Sequence, residues 1–280
     1  MLFYLLVTLQ FIHSISCFVT CHVCPIDMNT FGYFITTDHM PNTLNNCTTQ
    51  ATSDSCFIDL IWQLQPQKTQ IALSARGDGR STVNEHTLST SVSLENKDST
   101  FIWTRSISYT CSTDNCNSLT ALKRLLNSLT LYDDFNSLKN LLRKETPFDG
   151  DWCLFKANTS WLECALLIPP ESCKECSFQG MSVQGSIEIC LNCLQDDIGE
   201  TSISHEVDFD IANRTRLDHW ILECQFNKCN FENNGDLIRQ KSISNFDFAK
   251  FLDTSNQARI FVSISKILSI SIVVFIRVLH

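Results

Sequence analysis

The residues of this 280-residue chain whose types and spacing could do chemistry are its fifteen cysteines. Cys173-x2-Cys176-x13-Cys190-x2-Cys193 has the spacing of a four-thiolate zinc site, in which two close pairs of thiolates make a tetrahedral shell. The compartment decides between zinc and oxidation. Leu2 to Ile12 is an apolar run too short to span a bilayer, with small Ser14 and Ser16 placed for signal cleavage before Cys17. The sequons at Asn46, Asn158 and Asn213 agree with secretion. In an oxidising lumen these cysteines are expected as disulfides, with no metal and no cofactor. Cys17 either leaves with the signal or remains a free thiol.

Other chemistry is sparse. His22, His39, His86, His205 and His219 stand isolated, no Gly-x-Ser-x-Gly or His-Glu-x-x-His occurs, and the eight glycines form no phosphate-cradling loop. The expectation is a protein that is not an enzyme, with a secreted enzyme of unrecognised fold as the rival. Arg76-Gly77-Asp78 resembles the tripeptide by which extracellular ligands engage integrins, but Gly and Asp are also what a hairpin turn requires. The net charge of −9 argues against nucleic acid as a partner and favours solubility.

The elements that position these residues follow from a repeated spacing. Cys111-x4-Cys116-Asn117 recurs as Cys224-x4-Cys229-Asn230, 113 positions later. A disulfide across such a gap is worth about 2 kcal/mol on the chain-entropy model, and the Asn beyond it can bond backbone with both its carbonyl and its amide. The repeat divides the chain into a signal peptide (1–16), a first domain (17–117), a helical linker (118–151), a second domain (152–230), a stalk (231–256) and a C-terminal segment (257–280). Strand-like runs at 57–64, 69–75, 88–94 and 101–109 predict an antiparallel sheet in the first domain, with Gly77-Asp78-Gly79 as a hairpin turn. Runs at 181–189 and 202–211 predict strands in the second. Leu119, Leu122, Leu126 and Leu129, then Phe135, Leu138, Leu141 and Leu142, predict two short amphipathic helices. Eight cysteines in the second domain admit 105 pairings.

Cys21-x2-Cys24, a middle pair at Cys47 and Cys56, and the closing Cys-x4-Cys-Asn resemble the lymphocyte antigen six/urokinase receptor, or three-finger, family over residues 19–117. The resemblance implies a mostly β fold of small, disulfide-rich antiparallel sheets, in two copies joined by the helical linker. It implies Cys21 with Cys56, Cys24 with Cys47, and Cys111 with Cys116. By analogy it gives Cys173 with Cys193, Cys176 with Cys190 and Cys224 with Cys229, leaving Cys153 for Cys164. It also implies a binding or modulating role in which loops engage an extracellular or cell-surface protein. The tail fits a glycosylphosphatidylinositol signal, with attachment at Asn256, or at Asp253 as an alternative, and removal of 257–280. A transmembrane tail would carry Lys266 within hydrocarbon. The protein is therefore expected on the outer leaflet of the plasma membrane, with a freely secreted antagonist or a single C-terminal span as alternatives.

Overall fold

The computed structural model describes residues 19–253, apart from 53, 78–85, 98, 146, 160–163, 165–168, 184 and 196–199. Cys17, Asp78 with the turn it was expected to form, and the attachment region around Asn256 lie outside the described residues. The described chain is mostly β and antiparallel, as expected.

The first half contributes β1 (Val19–Val23), β2 (Thr30–Phe31), β3 (Thr48–Thr52), β4 (Ser55–Leu64), β5 (Gln67–Arg76), β6 (His86–Lys97) and β7 (Thr100–Cys111). After its closing loop come α1 (Leu119–Ser128), β8 (Leu129–Asp133) and α2 (Phe135–Leu138), which tightens into a 3-10 turn over Lys139–Leu142. The second half contributes β9 (Lys156–Ala157), β10 (Glu175–Val183), β11 (Ser186–Leu194), β12 (Glu200–Asp210), β13 (Thr215–Cys224), α3 (Glu232–Lys241), β14 (Ser242–Phe246) and α4 (Phe248–Asp253). The run at 181–189 is thus not one strand but the end of β10, the hairpin turn and the start of β11, and in that turn Gly185 takes a φ of 87° that side chains rarely adopt.

Alternation explains the strands. In β6, Leu88, Val92 and Leu94 turn inward while Ser89, Ser91 and Ser93 turn out, the pattern of a sheet with one face covered. The helices supply the cover. Ser118 caps α1 by accepting from the Ala121 amide, and Ala121, Leu122 and Leu125 are buried.

Three expectations about organisation are corrected. The two halves are not separate sheets on a linker: one ten-stranded sheet runs β2-β5-β4-β7-β6-β12-β13-β10-β11-β9. β6 and β12 pair from Thr87 with Asp210 to Lys97 with Glu200, so each half covers an edge that would otherwise present unpaired backbone groups. The segment at 118–151 is not a simple linker, because β8 lies within it, and the segment at 231–253 is not a stalk, because α3, β14 and α4 fold there. β8 pairs with β14, and Phe246 and Phe251 are buried in the core of the first half, while Leu138, Leu141 and Leu142 are buried in that of the second. Each half completes the other's core.

The pairings place the halves about a local twofold. Ser91 pairs with Glu206 at the centre of the β6–β12 seam, flanked by Val92 with His205 and Thr90 with Val207, and Leu131 pairs with Ser244 at the centre of the β8–β14 ladder. The exchange of end groups is reciprocal: the Asp134 amide donates to the Lys241 carbonyl at 2.7 Å and the Asp247 amide to the Ser128 carbonyl at 2.8 Å.

All seven disulfides lie within one half or the other. The first half has Cys21–Cys56, Cys24–Cys47 and Cys111–Cys116, the pairs the resemblance implied. In the second, Cys173–Cys193 and Cys224–Cys229 agree with the analogy, but Cys153 bonds Cys176 and Cys164 bonds Cys190. The pairs Cys176–Cys190 and Cys153–Cys164 are therefore corrected. The β10–β11 register sets Cys176 opposite Cys193 and Gln179 opposite Cys190, so Cys176 and Cys190 point to opposite faces. Cys153, not Cys173, is the counterpart of Cys21.

Candidate functional site

Asn117 and Asn230 hold the closing loops in the same way, and both are fully buried. Asn117 accepts from the His22 amide and donates to the carbonyls of His22, Phe57 and Ser74. Asn230 accepts from the Leu154 amide and donates to the carbonyls of Leu154, Ser177 and Asn192. Each ties the first cysteine segment of its half to two sheet strands, using the carbonyl and amide of one side chain together. They are structural.

The sequon asparagines are exposed. Asn158 is also engaged, accepting from the Ile189 amide at 2.6 Å and donating to the Ile187 carbonyl, while the Asn213 amide donates to Asp210. Arg76 stacks over Phe57 at 4.7 Å and Gly77 is exposed at the end of β5. The cysteines of the zinc-like spacing are divided among three disulfides, and no group of three or more His, Cys, Asp or Glu side chains among the described residues is placed to hold a metal ion.

Two arrangements were not visible in the sequence. The first is a buried polar cluster where the halves meet. Arg105 bonds Asp133 at 2.5 Å and reaches Ser244 and the Ile243 carbonyl. His205 sets Nδ1 against the Ser242 carbonyl and hydroxyl, at 2.9 and 2.8 Å, and Nε2 against Asp218 at 3.3 Å. Ser242, His205 and Asp218 have the residue types of a hydrolytic triad, but Ser242 is fully buried and its hydroxyl donates to the Ile238 carbonyl at 2.7 Å. That hydroxyl is a cap on α3, closed to substrate. Burial would push the Asp218 carboxyl up, but hydrogen bonds from His205 and Arg216 and their charges hold it down at about 2. For Arg105 and Asp133, burial acts against both charges, lowering the guanidinium and raising the carboxyl, and each offsets the other's loss of water.

The second is a cleft of about 550 Å³ in the first half. Its floor is Leu94 on β6 and Trp103 on β7; its walls are Leu64 and Gln65 at the β4–β5 turn, Ser99 to Phe101 at the β6–β7 turn, and Tyr132 to Asn136 with Lys139 beyond. Trp103 packs edge-on against Phe135 at 4.8 Å, and the Lys139 ammonium lies 5.2 Å from the Phe101 ring centre. Tyr132 and Leu64, 53% and 45% exposed, bring two large apolar side chains to the same concavity. Hydrogen bonds from Ser137 and Lys241 hold the Asp134 carboxyl below its ordinary range.

The counterpart in the second half is filled. Aligned through the closing loops and hairpin registers, Leu94, Trp103, Tyr132, Asp133 and Phe135 correspond to Phe209, Arg216, Asn245, Phe246 and Phe248. There Phe209, Phe246 and Phe248 pack together with ring centres 5.1–6.1 Å apart, and Arg216 crosses Phe209 to bond Asn245. The chain's own side chains occupy in one half the ground left open in the other.

A scan against protein-family models and searches of curated proteins and of solved structures found no match to this chain.

Proposed function

We propose that this protein is an extracellular binding protein: secreted, glycosylated at Asn46, Asn158 and Asn213, tethered to the outer leaflet by a glycolipid at Asn256, and acting by non-catalytic contact with a cell-surface protein. The observation that carries the binding reading is the open aromatic cleft, whose counterpart is packed shut. A concavity lined by rings and a few convergent polar groups is the usual form of a ligand site. The three-finger resemblance supports the same role, and so does the disulfide framework, which suits an oxidising compartment.

Expression of the full chain on cells, release with phosphatidylinositol-specific phospholipase C, and binding of the released protein to a panel of other cells tests this. Saturable binding that is lost on Tyr132→Ala is the expected result. Binding that ignores the substitution, or none on any cell, argues against the cleft as the binding site. Retention at the surface after the enzyme, with an epitope beyond His280 still attached, argues against the anchor.

A further inference from the structure

We propose that this cleft takes an uncharged oligosaccharide, so that the partner is recognised through a neutral glycan it carries. The inference rests on reading the cleft as the binding site. Its volume of about 550 Å³ falls within the range of small-ligand sites, about 300–1,000 Å³, and gives room for a short oligosaccharide. A sugar ring presents two kinds of surface: faces of C–H groups, which pack on aromatic rings, and a rim of hydroxyls, each of which donates and accepts.

The cleft offers both. Phe101, Trp103, Tyr132 and Phe135 supply rings, with Tyr132 the most exposed of them. Gln65, Ser99, Thr100 and Asn136 supply amides and hydroxyls that both donate and accept, and these side chains make no hydrogen bond within the described protein. The carboxylates are committed elsewhere. Asp133 is bound by Arg105, Asp134 by Ser137 and Lys241, and Lys139 lies over Phe101. A phosphate, a carboxylate or a basic peptide would find no uncommitted charge of opposite sign beyond Lys139, whereas a neutral polyol finds the donor and acceptor pairs it needs.

The full chain, released from cells as above, is applied to immobilised oligomannose, N-acetylglucosamine oligomers and N-acetyllactosamine, with sialylated counterparts and aromatic tripeptides alongside. Binding to at least one neutral glycan, competed by the same sugar in solution, is expected. Tyr132→Ala and Asn136→Ala should each weaken it about tenfold or more, while Tyr132→Phe retains it, with unchanged thermal midpoints. Failure to bind any neutral glycan, preference for the sialylated forms, or binding to the peptides instead overturns the proposal. The two readings separate on cells. Binding to cells that persists after enzymatic removal of N- and O-glycans overturns the glycan and leaves the binding role standing; absence of cell binding with glycan binding intact does the reverse.

Discussion

The two halves of this molecule share a frame and differ in what fills it. Both close with Cys-x4-Cys-Asn, both follow with a helix, a short strand and a second helix at the same 113-residue offset, and both lock the closing Asn into the same set of backbone bonds. At matched positions the contents diverge. Leu60 pairs with Ile107 in the first half where Gly180 pairs with Trp220 in the second, a large-and-small exchange that keeps the space between strands filled. Arg105 corresponds to Asp218, and Asp133 to Phe246. The difference teaches that the frame is set by staples and backbone bonds, while side chains at matched positions have separated into a packed half and a half with an open cleft. The opposite charges at these matched positions are each paired within their own half, Arg105 with Asp133 and Asp218 with Arg216.

The comparison breaks most severely at the exchanged elements. Phe251 is 2% exposed, packs against Tyr109 and Phe246, and lies under Arg124 at 4.3 Å. Phe251→Ala should cost about 3–5 kcal/mol in chemical denaturation and loosen the first half, whose core that ring completes. An unaffected midpoint would restore the stalk reading of this segment. Arg105→Met should cost about the same, 3–5 kcal/mol, because it leaves Asp133 buried without its counter-charge. The double variant Arg105→Met/Asp133→Leu should regain most of that loss, whereas a double variant as unstable as the single would show that the pair does more than neutralise itself.

A smaller effect sharpens the matched pairs. A Cβ on Gly180 would lie 2.1 Å from the Trp220 ring, so Gly180→Ala should destabilise by about 1–3 kcal/mol through overpacking. Combined with Trp220→Ile, which imitates the first half, most of that loss should return in the same denaturant titration. The smallest effect is confined to acid. Asp218 titrates at about 2 when folded, below its unfolded value of about 4, so the native state binds fewer protons there. Its stabilisation is present above about pH 4 and is lost as pH falls toward about 2. The raised Asp133 works in the opposite sense, adding stability as pH falls through its own titration. Asp218→Asn should flatten the acid limb of the stability profile; an unchanged limb would remove Asp218 from the account.

Much of the frame was legible. Closing loops at a fixed offset, alternating strands such as Leu88 to Leu94, and the α1 stripe all depend on neighbours in sequence. What was not legible depends on partners far away. Leu129 continues the helical spacing of α1 but opens β8, because a five-residue strand is decided by β14 and not by its own pattern. The likeness of α1 to α3 is hidden by composition, one Leu-rich and the other Glu232-Asn-Asn-Gly-Asp, although both present a buried stripe. The pairing of Cys153 with Cys176 follows from sheet faces that only the register reveals. The cleft draws on three separated segments, and the cluster around Arg105 and His205 gathers charges from strands spread over more than a hundred residues. No local spacing announces either.

The reciprocal exchange also sets a timetable for synthesis. A chain made amino end first would deliver β1 to β7 early, with the cysteines of three disulfides already present. Phe246 and Phe251, which complete that first core, arrive almost last. Until then the nascent first half carries an unfilled apolar core and an unpaired β6 edge, and truncation before residue 246 would leave that first core incomplete while every core residue of the second half is already present.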